Sequence, residues 1–456
     1  MSLISSSCRR IIIGLGKTGL SCVRYFSRQG LPFSVVDSRV SPPGLDVLQR
    51  DYPDVPIFTG GFKRELLLAA DELIISPGVA LAQPEVAEAI KAGAHAIGDV
   101  EIFCRLITDK PIIAITGSNG KSTVTSLLGK MAHLAGINAA VGGNIGVPVL
   151  DLIEQPADLY ILELSSFQLE TTHSLRAEAA TVLNISPDHI DRYASFADYH
   201  RAKQKIYRGC KTAVYNLEDP LSAPLLPKLT HCSGFTTGEP DLAQFGLRDE
   251  HETTWLCKGL ERLLDTKQLK MKSRHNYANA LAALALGEAV DMPLKPMLEA
   301  ISQFPGLPHR CQWVADISGV SWFNDSKATN IGATIAAIGS VGEQISGHII
   351  LLAGGDGKGA DFSELQPVIR EYVGHVILLG QDADLLEAAL SSCVPVSRAT
   401  DLHSAVRVAS TVSAQGDAVL LAPACASTDM FNNFEDRGNK FIQNVHELLK
   451  NHDAGC

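Results

Sequence analysis

At 456 residues the chain has length for about three domains, each able to bury a core of its own. Its 46% hydrophobic and 20% charged residues are those of an ordinary globular protein. The net charge of −11 excludes a general nucleic-acid or anionic-membrane surface, which would need clustered Lys and Arg. Ten cysteines are scattered without a CxxC pair, so neither a zinc ribbon nor a dithiol redox motif is indicated, and a reducing, cytosolic compartment fits best. The apolar run after Arg10 is too short for a signal-peptide core, and no stretch approaches the roughly 18 apolar residues of a membrane span.

Residues 10 to 99 predict a first α/β unit. Ile11 to Ile13 form a buried strand, Gly14-Leu-Gly-Lys-Thr-Gly19 matches GxGxxG, and Leu20 to Gln29 supply the helix that follows. A second strand, Phe33 to Val36, ends in Asp37 about 20 residues beyond the glycines, where a dinucleotide-binding fold places its ribose-binding acid. By itself this pattern suggests NAD, although GxGxxG loops also serve other nucleotides. Arg39 is either a cation for a phosphorylated nucleotide or a solvated loop residue. Leu73 to Ser76, then Pro77 and Gly78, repeat the order of strand then glycine.

The next unit begins near Val100. The run Pro111 to Ile115 is continuous and β-branched, as a buried parallel strand requires, while Val124, Leu127, Leu128, Met131 and Leu134 recur at helical spacing. Between them lies Thr116-Gly117-Ser118-Asn119-Gly120-Lys121-Ser122-Thr123. Strand, glycine loop and helix in this order make a phosphate cradle: backbone N–H groups and the helix terminus face the anion, and Lys121 adds a mobile charge. Ser122 or Thr123 is placed to hold magnesium. A strict P-loop carries a glycine where this chain has Ile115, so the loop is a shortened variant or a tight turn with a solvated lysine.

Gly142 to Gly146 predict a glycine-rich turn presenting Asn144, and the strand Leu159 to Leu162 ends in Glu163. Ligands of open α/β sheets sit beyond the carboxyl ends of strands, so Glu163 falls near the loop, where a carboxylate serves magnesium. A further strand, Thr181 to Ile185, precedes His189, which its neighbours Asp188 and Asp191 leave open as a metal ligand, a base or a capped loop histidine. Lys203 lies on a helix from Phe196 to Tyr207, where the ordinary expectation is a solvated charge. Residues 208 to 270 carry small strands without a chemical signal. His275 to Val290 and Leu294 to Phe304 are helices, and Pro305 to Arg310 are a proline- and glycine-rich joint.

From 311 to 456 strands at 320–324, 348–353, 375–379 and 418–421 alternate with helices. Their ends lead into Asn324-Asp-Ser-Lys-Ala-Thr329, Gly354-Gly-Asp-Gly-Lys358, Gly380-Gln-Asp382 and Pro423-Ala-Cys-Ala-Ser427. Asp325, Lys327, Thr329, Lys358 and Ser427 thus gather on one rim, a set suited to anions.

The phosphate loop, Glu163, the His189 segment, His275-Asn-Tyr-Ala-Asn279, Leu307-Pro-His-Arg310 and Asn324-Asp-Ser-Lys327 together resemble the Mur ligases, in the right order over nearly the whole chain. Gly14 to Gly19, Leu164 to Glu170, Gly354 to Lys358 and Pro423 to Phe434 are most similar to the branch that adds D-glutamate to UDP-N-acetylmuramoyl-L-alanine in cytoplasmic peptidoglycan synthesis. The resemblance implies an α/β protein of three domains: a Rossmann-like one for the UDP substrate (1–99), a central P-loop ATPase-type one with a mostly parallel sheet (100–305), and a Rossmann-like one for the amino acid (306–456). It also implies an ADP-forming ligase that works through an acyl phosphate, uses ATP and two Mg2+ ions, and needs neither nucleic acid, membrane nor an obligate protein partner.

By the same resemblance the GxGxxG loop turns from NAD to the UDP moiety, with Gly16, Lys17, Thr18, Asp37, Ser38 and Arg39 as its contacts. Lys17 stands where an apolar residue is expected and adds a cation of undecided role. ATP falls to residues 117–123 (Gly117, Ser118, Asn119, Gly120, Lys121, Ser122, Thr123) with Asn279, Arg310, Asp325 and Lys327. Asn144 and His189 contact the substrate, D-glutamate is taken by Thr329, Lys358, Ser427 and Phe434, and the metal ligands are Ser122, Glu163, His189 and Lys203, the last as a carbamate. Lys121, Glu163, His189, Lys203 and Asn144 then carry catalysis. Another Mur ligase or a folylpolyglutamate synthase would share the ATPase core, but the N-terminal GxGxxG unit counts against the folate enzyme. A nicotinamide dehydrogenase or a nucleotide-switched module leaves the cations of the last unit unexplained.

Overall fold

A computed structural model describes residues 8–188, 192–225, 231–251, 253–271 and 273–455, with side chains to 450. The chain forms two compact units, one of Met1–Ile185, Ala197–Asp265 and Asn279–Ser302, the other of Ser186–Phe196, Thr266–Ala278 and Gln303–Cys456.

The first unit carries two sheets. The amino-terminal one has strands β1 (Arg10–Ile13), β2 (Phe33–Val36), β3 (Ile57–Phe58), β4 (Glu72–Ile75) and β5 (His95–Ile97) in the order β3-β2-β1-β4-β5, all parallel. Its central strand is buried at every residue, as expected of a strand covered on both faces. The order reverses at β1, and the crevice there opens beyond the strand ends. The helix after β1 starts at Lys17, three residues earlier than its apolar pattern suggests.

The second sheet contains β6 (Ile112–Thr116), β7 (Ala139–Gly143), β8 (Leu159–Glu163), β9 (Ala179–Val182), β10 (Thr212–Asn216), β11 (His231–Phe235), β12 (Phe245–Glu250), β13 (Thr253–Lys258) and β14 (Glu261–Asp265). Their order is β14-β13-β12-β11-β10-β9-β6-β8-β7, with β12 to β14 paired antiparallel and the rest parallel. Residues 208 to 270 are therefore half of this sheet. Their strands mix polar and apolar residues and are only partly buried, with two buried residues in β13 and one in β14. Two other boundaries differ from the expectations: Gly142 and Gly143 belong to β7, and β9 ends at Val182. Helix Asp99–Leu106 ties the two sheets together, for buried Glu101 accepts from the His173 and Ser174 N–H groups at 2.6 and 2.8 Å and from Arg105 at 2.8 Å.

The second unit is built on β15 (Gln312–Ile317), β16 (Val320–Asn324), β17 (Ile349–Ala353), β18 (Val373–Leu378), β19 (Val396–Arg398) and β20 (Ala418–Leu421), ordered β15-β16-β20-β17-β18-β19. The four expected strands are the four adjacent parallel ones, so their carboxyl ends do share a rim. The strands at either edge, β15 antiparallel and β19 parallel, escaped the sequence reading. Arg437, on helix Phe434–Gly455 and only 2% exposed, staples that rim. Its guanidinium donates to the carbonyls of Ser326, Gly354, Cys425 and Ala426 at 2.9 to 3.4 Å, so one side chain holds the loops after β16, β17 and β20. Among the described residues no helix is long and apolar enough to cross a membrane.

Candidate active site

In the first unit the loop between β6 and helix Lys121–Leu134 is formed as its residues demand. Gly120 takes φ +84°, a conformation other residues avoid, and a Cβ there would run into the Asn279 side chain. The helix begins without a side-chain cap and without an acidic residue in its first turn, so its terminus suits an anion. Asn184, beyond β9, grips the loop by accepting from Asn119 N–H at 2.8 Å and donating to its carbonyl at 3.1 Å. It was missed, although a polar residue just past a parallel strand end is the signal that found Glu163. Ser118 bonds Tyr199 through its hydroxyl at 2.9 Å, while Ser122 and Thr123 are buried at the helix start.

Lys121 Nζ donates to the carbonyls of Gly117 at 2.7 Å and Ser118 at 3.0 Å. Lys203 Nζ reaches the same Gly117 carbonyl at 2.8 Å and lies 4.8 Å from the Tyr199 ring centroid. The expectation of a solvated Lys203 is thus wrong: it is 2% exposed and turned inward, because its helix packs that face on the loop. Two ammonium groups meeting at one carbonyl mark a place prepared for negative charge.

Glu163, 1% exposed at the end of β8, accepts from Asn144 Nδ2 at 2.7 Å through Oε1. Its Oε2 is buried and has no hydrogen-bond partner among the described residues. A buried, half-unsatisfied carboxylate oxygen beside a helix-start serine fits a hard cation with oxygen ligands. Gly143 (φ +109°) makes the pairing possible, since a Cβ there would strike the Glu163 carbonyl. His189 lies outside the described residues.

Gly16, Lys17, Thr18, Asp37, Ser38, Arg39 and Asn144 all line one cavity of about 470 Å³ in the first unit. The strand-end residues Ser76, Pro77 and Gly78 and the helix residue Gln168 join them; the sequence marks the first three as a second strand-then-glycine turn and Gln168 as part of the Leu164 to Glu170 segment, but neither as a contact. Asp37 is not the open acceptor a ribose acid would be. Its oxygens take Leu15 N–H at 2.7 Å and the Arg39 backbone N–H at 2.9 Å, and the Arg39 guanidinium grips both at 2.9 and 2.7 Å. Burial raises its pKa, but these donors together outweigh it and hold the carboxyl below its ordinary value.

In the second unit Asp325, beyond β16, has its pKa raised to about 7 by burial, against the pull of the Arg310 charge and of hydrogen bonds from Cys311. Burial and the Arg310 charge lower His275 to about 4. Lys327 Nζ sits 3.8 Å from the centroid of the Phe434 ring. Thr329 and Lys358 line a cavity of about 190 Å³, while Ser427 is buried nearby in sequence to that rim and is absent from its lining, as is Phe434.

Three α/β segments on mostly parallel sheets, with a phosphate loop beside a metal-ready carboxylate, define a nucleotide-dependent enzyme of the multidomain α/β class. Family patterns match along the chain: the MurD-like N-terminal domain of Mur ligases at residues 8–98, the Mur ligase middle domain at 115–287 and the Mur ligase glutamate ligase domain at 309–425. The chain belongs to the Mur ligase family. It is 51% identical over 448 residues to the UDP-N-acetylmuramoylalanine–D-glutamate ligase of Pseudomonas aeruginosa, covering 98% of this chain and 100% of that one. The ligase of the same name from Marinobacter nauticus is 52% identical over 450 residues, again 98% and 100% covered. Among solved structures, the MurF ligase of Thermotoga maritima in complex with ADP shares the fold at TM-score 0.62 and 14% identity, covering 98% of this chain and 97% of its own. MurC from Thermotoga maritima does so at TM-score 0.59 and 18% identity, with 96% and 99% covered.

Proposed function

We propose that the chain joins D-glutamate to UDP-N-acetylmuramoyl-L-alanine at the expense of ATP, forming ADP and phosphate, as a cytoplasmic step in building peptidoglycan. The observation that carries this is half-identity over the full length to ligases named for that reaction. Residues 1–99 are assigned to the uridine nucleotide, 100–305 to ATP and 306–456 to the amino acid.

A carboxylate is a poor electrophile, so its oxygen first has to become a leaving group. The substrate carboxylate attacks the γ-phosphorus, ADP departs, and an acyl phosphate results. The amine nitrogen then attacks the acyl carbon, expelling phosphate and giving up its extra proton to leave an amide. Phosphoryl transfer asks chiefly for positioning and charge neutralisation. Lys121 is assigned to the β- and γ-phosphates, with Gly117, Ser118, Asn119, Gly120 and Thr123 around them. Asn279, Arg310, Asp325 and Lys327 are assigned to the rest of ATP. The UDP part is assigned to Gly16, Lys17, Thr18, Asp37, Ser38 and Arg39, and the reacting end of the substrate to Asn144.

Magnesium, when bound, screens the incoming carboxylate from the triphosphate. Ser122, Glu163 and His189 would hold it, and Lys203 joins them once carbamylation has made it an anion. The orphaned Glu163 Oε2 and the buried Lys203 amine support that set. Thr329, Lys358, Ser427 and Phe434 are assigned to D-glutamate, whose carboxylates require cationic or N–H partners. The test is phosphate release with ATP, UDP-N-acetylmuramoyl-L-alanine and a panel of amino acids. Turnover with D-glutamate alone is expected, and turnover only with meso-diaminopimelate or L-lysine would overturn the assignment.

A further inference from the structure

The small cavity of the second unit holds an internal ion pair. Lys358 Nζ lies 3.5 Å from Asp188 Oδ1, with the two side chains 21% and 12% exposed. Both groups are held by structure that does not depend on the pair. Lys358 sits in a loop at φ +54°, its N–H bonded to Asp356 at 2.9 Å, and the preceding Gly357 N–H is bonded to Asp382 at 2.7 Å. Asp188 Oδ2 accepts from Asn330 Nδ2 at 3.2 Å. That amide cannot turn round, because its oxygen caps helix Ile331–Gly342 by accepting from Ala333 N–H at 2.8 Å. An ammonium and a carboxylate are thus presented to one cavity of about 190 Å³, whose lining also includes Asp361 and Glu364.

Three carboxylates against one ammonium make a poor receptor for a plain dianion. They make a good one for an ion carrying its own ammonium. We propose that the Lys358–Asp188 pair is the resting form of a bracket for the amino-acid substrate: a substrate carboxylate replaces Asp188 on Lys358, and the substrate ammonium takes Asp188 in return. One ion pair is broken and two are made. A diacid of the same length without the amine also breaks the pair, but brings Asp188 no ammonium in exchange for Lys358. Asp188 is therefore a positioning and specificity residue for the substrate nitrogen. The inference rests on the reading that this cavity takes D-glutamate.

The test compares D-glutamate with glutarate, which lacks only the amine, in the phosphate-release assay on the full chain. With the wild-type enzyme, glutarate is expected to compete at least about a hundredfold more weakly than D-glutamate binds. In Asp188→Asn the KM for D-glutamate should rise about tenfold or more while inhibition by glutarate strengthens, so that the preference collapses. In Lys358→Met both ligands should weaken together. An unchanged preference in Asp188→Asn, with Lys358→Met weakened, would overturn the bracket and leave the D-glutamate site standing; an unchanged KM in Lys358→Met would overturn the site itself. Direct titration of the wild-type protein needs no variant to fold, and equal affinity for glutarate and D-glutamate there would also overturn the bracket.

Discussion

Lys203 and Lys121 both spend their ammonium hydrogens on the Gly117 carbonyl, which places two cations where the γ-phosphate is assigned. A buried amine next to a phosphate cradle becomes useful to a metal only if its charge is inverted. With 13C-labelled bicarbonate, the wild-type protein should give a carbamate carbon signal that disappears in Lys203→Met, and activity should fall by about 10²-fold or more in that variant. A wild-type spectrum without that signal would refute carbamylation. Asp99 presents a separate charge problem. It is 1% exposed, neither oxygen has a well-placed partner among the described residues, and burial raises its pKa from 3.8 to about 6 against the pull of nearby N–H groups. Because the folded value exceeds the unfolded one, its favourable contribution is complete below pH 3.8 and is lost as pH rises through about 6. Asp99→Asn should therefore remove up to about 3 kcal/mol of destabilisation at pH 8 and leave pH 4 nearly unchanged, as calorimetric Tm values across that range would show.

At the scale of elements, function depends on loops that are held by something other than themselves. The rim of the second unit is an instance. Its three loops carry Asp325 and Lys327, Lys358, and Ser427, and Arg437 joins them from the last helix. Burial lowers the guanidinium pKa to about 10, so it stays charged at neutral pH. Replacing it by methionine keeps much of the volume and removes every donor. Arg437→Met should cost about 2–4 kcal/mol in denaturant unfolding and weaken D-glutamate more than ATP, since carbonyls of all three loops lose a partner. Equal loss for both ligands would mean that the staple does not serve that rim in particular. The helix pattern here is plain in sequence, yet nothing in the period says which residue of its inward face reaches 83 or 111 positions back along the chain.

Across the whole molecule, three sheets put their chemistry beyond strand ends, and the two cavities belong to different units. The assigned ligands should therefore leave separate marks. In hydrogen exchange, UDP-N-acetylmuramoyl-L-alanine alone should protect amides around residues 14–18, 37–39, 76–79 and 143–144, while D-glutamate should protect residues 356–360. Protection of the first set by D-glutamate alone would contradict the division of labour. Such slowing follows from mass action on local opening, about 2.7 kcal/mol at a hundred times Kd.

The order of strand, glycine loop and helix, the carboxylate at the end of β8 and the parallel rim of four strands were all legible in the sequence. They depend on apolar period and on glycine, which act within a few residues. Small strands were expected between residues 208 and 270, but the antiparallel pairing of β12 to β14 was not legible, because short strands of mixed polar and apolar residues do not specify which neighbour they pair with. Nor were the inward turn of Lys203, the grip of Asn184 on the phosphate loop, the closure of Asp37 by Arg39 or the Asp188–Lys358 pair. A charged side chain looks the same in sequence whether it faces water or a buried carbonyl. Only packing decides which, because partners as far apart as residues 117 and 203, or 188 and 358, meet through the sheets and not along the chain.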